Sequence, residues 1–468
     1  MSEPRAHGRT FDRTIVEGPL SRAVWRLAWP AMVQNIIGGL QGIIDQAMVG
    51  NYVGHIGNAA IGVSLQIFIL VIVFVASVFT GMGVLVARFA GAGEPDKVNR
   101  TVYQALLVTL VLALGVLAPV GYVSAPSLLA LLNATPEVQA EALPYIRILF
   151  VSSVGMLMFF MFSGALRAAG DSRTPMRLGI LMTALNILFN VILIPPLGTR
   201  GAALGTALAS IGVGAVFIWL LFSNRLVIHF ARSMSFRPDW SIIRSLFRFG
   251  LPAGFQGIVM NLGGLLMLRF IGSLPASAEA QAVYAVGYTE LFSLVTWTSV
   301  GLMGAAAAVA GQNLGAGRPD RSARGVEVAS LIGLGAAGTI GVLFLAAPLP
   351  LLALFGMTEG LVVSLGRELL AYLAFSGLFV TVALTYTGGL QGTGDTKSPL
   401  YISIASQVVL PVGLCAVLQA MRGLEPSDIW MAIVLGHFAR GAFSVLRFRQ
   451  GRWRAIAVDI APARASSR

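Results

Sequence analysis

The chain has 468 residues, of which 56% are hydrophobic and 11% charged. A soluble domain carries about 25% charged residues, so a soluble domain is excluded. The formal net charge of +12 does not point to nucleic acid, because the basic residues sit in separate loops and not on one patch.

The start, MSEPRAHGRTFDRTIVEGPLSR, is polar and basic. The apolar run after it is too long for the core of a removable signal, so none is expected. Apolar runs near or above about 18 residues, enough to span a bilayer, then predict twelve helices. Their approximate ranges are 25–49, 58–88, 101–123, 143–166, 176–197, 201–222, 247–270, 282–312, 326–347, 365–391, 399–419 and 428–447. The expected organisation is an N-terminal segment 1–24, a first lobe 25–222, an amphipathic linker 223–246, a second lobe 247–447 and a basic tail 448–468. Arginines fill alternate loops: Arg5, Arg9, Arg13 and Arg22; Arg88 and Arg100 with Lys97; Arg167, Arg173 and Arg177; Arg225, Arg232, Arg237, Arg244 and Arg248; Arg318, Arg321 and Arg324; and Arg447 to Arg468. The opposite loops hold mainly Arg200 and Arg422. Lys and Arg stay on the cytoplasmic side, so both termini are expected there. The single cysteine, Cys415, cannot form an internal disulfide.

Within this pattern the chain repeats itself. Gly91-Ala92-Gly93-Glu94-Pro95-Asp96-Lys97 returns as Gly315-Ala316-Gly317-Arg318-Pro319-Asp320-Arg321. Leu166-Arg167-Ala168-Ala169-Gly170-Asp171 returns as Leu390-Gln391-Gly392-Thr393-Gly394-Asp395, and both offsets are 224. Six helices per half is an even number, so the repeat is parallel. The fold class is therefore an all-α integral membrane protein of two six-helix lobes. Such duplication implies a transporter with its site between the halves. The repeated Gly and Pro residues predict tight turns, with Gly ending one helix and Pro starting the next.

The polar residues inside the helices are the candidate site. Asp45 lies well inside the first apolar run. A carboxylate in hydrocarbon costs about 2.5–3.5 kcal/mol, so it needs a wet cavity or a partner. Gln34, Gly38, Gln41, Gly42 and Asp45 share one helix face. Thr183, Asn186 and Asn190 share a face of the fifth helix, either pairing with another helix or lining a wet path. Glu290 lies midway along the eighth helix with Ser293 and Trp297, and the repeat sets it opposite Gln66. It either contacts a substrate cation, forms a second proton site, or pairs with an arginine such as Arg269. Gln256 and Met260 complete the expected substrate cavity, with Phe68, Met158, Phe159 and Phe162 as its apolar surroundings. Pro30 and Pro252 occupy corresponding places and are expected hinges, since each removes a backbone hydrogen bond. There is no Gly-x-x-x-x-Gly-Lys-Ser/Thr and no His-Glu-x-x-His, so neither an ATPase nor a zinc peptidase is expected. The four histidines are scattered, which argues against a His-based metal cluster.

The Pro-bearing first helix with Asp45 ahead of Met48-Val49-Gly50, the Gly311-Gln312-Asn313-Leu314-Gly315-Ala316-Gly317 ending and the two Gly-Asp loops resemble the multidrug and toxic compound extrusion (MATE) family. The resemblance runs from about Leu20 to Arg447 and is nearer the DinF-like branch than the sodium-type branch. It implies a monomeric antiporter of a bacterial inner membrane that exports organic compounds in exchange for protons or sodium ions, with no other cofactor. It makes Asp45, Asn186, Asn190 and Glu290 the cation-coupling set. Many members have an acid where this chain has Asn190, which leaves Asp45 as the main acid of the first lobe. The sodium-type branch has acids near the places of Met260 and Val380, so protons are the expected ion. The rival reading is a lipid-linked oligosaccharide flippase of the related superfamily. The mid-membrane charges expected here, Asp45 and Glu290, are the wrong sign for a diphosphate.

Overall fold

A computed structural model describes residues 11–132, 134–223, 225–230, 237–358 and 360–458. Arg5, Arg9, Arg232, Arg464 and Arg468 lie outside the described residues. Twelve long helices follow one another, and no strand occurs among the described residues. They are α1 (Leu20–Tyr52), α2 (His55–Ala92), α3 (Pro95–Leu131), α4 (Pro136–Ala168), α5 (Arg173–Leu197), α6 (Thr199–Phe222), α7 (Trp240–Gly272), α8 (Ser277–Gly315), α9 (Pro319–Ala346), α10 (Gly360–Thr393), α11 (Lys397–Arg422) and α12 (Pro426–Arg449). The eleven from α2 to α12 are long and apolar enough to cross a membrane. α1 is long but more polar, with Arg22, Arg26, Gln34, Asn35, Gln41, Asp45 and Gln46 along it. All twelve predicted helices are present, and most run several residues past their predicted ends. The apolar run marks only the hydrocarbon layer, while the helix goes on satisfying its backbone out to the interface.

The repeated loops form the same turn each time. Gly93 and Gly317 take φ of 76° and 72°, and Gly170 and Gly394 take 102° and 99°. After each, the next amide reaches back across the turn: Glu94 N to Phe89 O at 2.9 Å, Arg318 N to Asn313 O at 2.8 Å, Asp171 N to Leu166 O at 2.8 Å, and Asp395 N to Leu390 O at 2.9 Å. This left-handed cap satisfies the last helical carbonyls, and glycine adopts it without steric cost. Pro95 and Pro319 then start the next helices. Asp171 and Asp395 cap α5 and α11 by accepting from Thr174 and Ser398.

By contacts the chain forms two compact units. One is built on Ile37–Gly254, and the other on Thr14–Ile36 with Phe255–Ile456. The division falls inside α1 and α7, whereas the sequence expectation placed it between helices. In the first unit the start of α7 lies against α2, so close that a Cβ on Gly81 would sit 2.1 Å from Leu246 O. In the second, α10 lies as close to α8, with Gly388 and Gly392 against the carbonyls of Met303 and Ala307. Small residues at such crossings let backbones approach, as membrane helices require. The same pairings recur: α2 with α4 and α4 with α6 in one unit, α8 with α10 and α10 with α12 in the other.

The described part of the linker docks on α3. His229 N donates to Asn99 Oδ1, Gln104 Nε2 donates to Arg237 O, and Arg100 pairs with Asp239 at 2.6 Å. Burial works to raise the Asp239 carboxyl, but hydrogen bonds from Ser241, Ile242 and Arg100 outweigh it and hold the group below its ordinary value. α3, α8 and α11 each contain a π-helical stretch, at Val111–Leu117, Ala285–Leu291 and Ile404–Val409. These wider i→i+5 turns rotate the side chains beyond them relative to a regular α-helix.

Candidate functional site

The two polar faces expected on α1 and α5 meet in the first unit. Asn190 Nδ2 donates to Asp45 Oδ1 at 2.7 Å and to Asn186 Oδ1 at 3.3 Å. Asn186 Nδ2 in turn donates to Thr206 Oγ1 at 3.1 Å, and Thr183 Oγ1 donates to Gln41 Oε1 at 2.7 Å. The Gln41 side chain also hydrogen-bonds Asp45. Asn186 and Asn190 are fully buried, while Asp45 is half-buried. The amide ladder therefore runs from the interior to a carboxylate that keeps some access.

The sequence of α6 is what buries Asn190. A Cβ on Gly205 would lie 2.1 Å from Asn190 Oδ1, and one on Gly201 would lie 2.1 Å from Leu193 O. The Gly-x-x-x-Gly spacing thus seats α6 directly on α5. Asn190 Oδ1 has no hydrogen-bond partner among the described residues. A buried acceptor left open is costly, so this oxygen is ready for a donor. A protonated Asp45 is one such donor, because protonation turns an acceptor-only carboxylate into an O–H donor.

The other expected residues do not join this cluster. Gln34 lies on the part of α1 that belongs to the second unit, and its Oε1 is buried without a partner. Gln66 is exposed on α2. Gln256 is buried and bound within the second unit, donating to Ser403 at 2.9 Å and accepting from Gln391 at 3.1 Å. Met260 and Trp297 are half-buried, and the Trp297 carbonyl accepts from Asn35 at 3.1 Å. Pro30 and Pro252 are buried inside α1 and α7. Glu290 is half-buried in the π-helical stretch of α8 and has no ion-pair partner among the described residues, so the alternative of pairing with exposed Arg269 is not realised. The expected apolar lining needs correction. Phe68, Met158, Phe159 and Phe162 are 1–6% exposed, and Phe162 stacks on Phe217 at 5.3 Å. They are packed core, because α4 turns that face toward α6 and α2.

A second buried polar group was not expected. His437 on α12 touches the Tyr288 hydroxyl through Nε2 at 3.4 Å and Ser376 Oγ through Nδ1. Arg440, one turn on, is 6% exposed. It adds a positive charge to the mid-helix charges expected from Asp45 and Glu290 alone. The signal was available as the 430, 433, 437, 440, 444 spacing of α12, a single face holding Trp, Ile, His, Arg and Ser.

The MatE family model matches residues 30–192 and 252–417, one stretch in each half. This chain belongs to the MATE family. Members are membrane transporters and not enzymes. The chain is 27% identical over 447 residues to the Thermotoga maritima protein called probable multidrug resistance protein NorM, covering 92% of this chain and 93% of that one. Its fold is similar to that of a MOP superfamily transporter from Pyrococcus furiosus, with a TM-score of 0.88 at 21% identity over 97% of this chain and 100% of the other. It is equally similar to a MATE protein in a straight conformation, with a TM-score of 0.88 at 21% identity over 96% and 100%. These structures establish a common fold for a MATE chain with two repeated halves.

Proposed function

We propose that this MATE protein is a secondary active multidrug efflux antiporter. It exports amphipathic, often cationic organic compounds in exchange for protons, by alternating access across a bacterial inner membrane, with both termini cytoplasmic. One chain contains both lobes, so a monomer suffices. The observation that carries the reading is Asp45, a carboxylate inside a membrane helix held by the buried Asn190–Asn186 amides. Intramembrane acids mark ion pathways. The names of relatives such as the NorM protein support the substrate class.

In the outward state a proton binds Asp45 and a cationic substrate leaves. The ionised carboxylate accepts from Asn190 Nδ2. The protonated one has a hydrogen to give, and the open Asn190 Oδ1 can take it when the amide turns. One proton thereby rewires the contact between α1 and α5, and Pro30 lets α1 respond. On the cytoplasmic side the proton leaves, the amide returns and a new substrate binds. Met260 and Val380 offer no carboxylate to sodium in the second unit, which favours protons.

The test is ethidium efflux from pump-deficient bacterial cells expressing wild type or Asp45→Asn, first with a proton gradient and then with sodium alone. Efflux driven by the proton gradient and abolished by Asp45→Asn at equal expression is the expected result. Efflux driven by sodium alone, or unchanged in Asp45→Asn, sinks the proton reading.

A further inference from the structure

The buried face of α12 holds a cation that no carboxylate among the described residues pairs with. Trp430, Ile433, His437, Arg440 and Ser444 are all less than a tenth exposed. Among the described residues Arg440 has no hydrogen-bond or ion-pair partner, and its Nε is buried. The titratable groups that interact with it are Tyr288 and His437, and no carboxylate is among them. It lies nine residues short of the end of α12 at Arg449, well inside the span. Gly214 packs on the Gly155 carbonyl and Gly441 on that of Phe379, which are 224 residues apart, and with these two glycines matched the face of α6 reads Ser210, Val213 and Phe217, all buried. A valine fills this place in one half and an arginine in the other, so packing alone does not require the charge. Buried intramembrane cations pair with counter-charges or with backbone carbonyls, and among the described residues Arg440 has neither.

The neighbours are arranged as donors. Tyr284, Tyr288, Phe292 and His437 form a stack, with Tyr284–Tyr288 at 4.9 Å, Tyr288–Phe292 at 5.5 Å and Phe292–His437 at 6.0 Å. If Ser376 donates to His437 Nδ1, then His437 Nε2–H donates to the Tyr288 oxygen. That leaves the Tyr288 hydroxyl hydrogen without an acceptor among the described residues, on a side chain that bonds His437 one turn from Arg440 and interacts electrostatically with it. The chain Ser376, His437, Tyr288 then aims a donor, and each bond polarises the next. A site this closely packed suits a monatomic ion better than a branched carboxylate.

We propose that Arg440, with Tyr288 beside it, binds a small monovalent anion of halide size inside the second unit. The proposal is independent of what the protein exports. Its test uses the purified full chain in lipid nanodiscs, with thermal unfolding followed in chloride, bromide and gluconate at equal ionic strength. Wild type unfolds at a higher temperature in chloride and bromide, and the effect saturates with halide concentration. Arg440→Gln loses the halide dependence. Tyr288→Phe, which keeps the charge and the ring stack, needs about tenfold more chloride for half the effect, as removing one hydrogen bond to a charged group implies. Crystals grown in bromide show an anomalous peak at Arg440. Equal unfolding temperatures for wild type in all three salts, with no bromide peak, overturn the proposal. So does a Tyr288→Phe protein with unchanged chloride dependence, even if Arg440→Gln fails to fold.

Discussion

Asp45 in the first half has Met267 in its place in the second, at the 222-residue offset that pairs Pro30 with Pro252. Around Asp45 stand Asn190, Asn186 and Gln41. At the 224-residue offset of the repeated turns Asn190 and Asn186 fall on Leu414 and Leu410, and at the α1–α7 offset Gln41 falls on Gly263. Met267 is buried in an apolar cluster, whereas Asp45 is half-buried and hydrogen-bonded. The second half concentrates its buried polarity elsewhere, at Tyr288, His437 and Arg440. The turns tell the opposite story, since Gly93 and Gly317, or Asp171 and Asp395, repeat nearly atom for atom. Turn geometry is held by backbone hydrogen bonds that both halves need. Interior side chains answer to function, and there the halves have parted to the point of opposite buried charge.

That contrast can be broken in order of expected effect. Asp45→Asn is the largest change, with proton-driven ethidium efflux lost at unchanged expression. Asn190→Leu, which writes the second-half residue into the first, removes a charge-assisted hydrogen bond of about 1.5–3 kcal/mol. Efflux should fall at least about tenfold while the chain still folds. An Asn190→Leu protein with wild-type efflux would mean the amide ladder is only structural. Next comes packing: Gly205→Ala should destabilise by about 1–3 kcal/mol through overpacking against Asn190. Gly212→Ala, with nothing within 4 Å of its added Cβ, should be nearly neutral. Thermal unfolding in detergent separates the two. The smallest effects lie in the turns. Asp171→Ala should cost about 1 kcal/mol, the value of a helix cap. Asp395→Ala should cost more, because Asp395 also pairs with Arg447 at 2.8 Å. Equal losses for the two would show that this ion pair adds nothing measurable.

Much of the fold was legible in the residues. Spanning helices must close all their backbone hydrogen bonds internally, so apolar length alone announces them. The duplicated Gly and Asp positions foretold four turns because only a few residues suit a left-handed cap. The α1 and α5 faces were legible too, since polar residues at helical spacing inside hydrocarbon have few explanations. Less visible were the π-helical stretches, which obey no side-chain period, and the docking of the linker on Asn99, Arg100 and Gln104.

By itself, then, the sequence determined the class of protein, its twelve helices, its duplication and the acid at Asp45, because these depend on local composition and spacing. Only tertiary structure decided which polar faces meet. It joined Asp45 to Asn190 across 145 residues of chain and turned Phe159 and Phe162 into core. It also enclosed Arg440, on a helix that α10 and α11 pack against. Those outcomes follow from how closely helices approach, and that distance is set by pairs of small residues far apart in the chain.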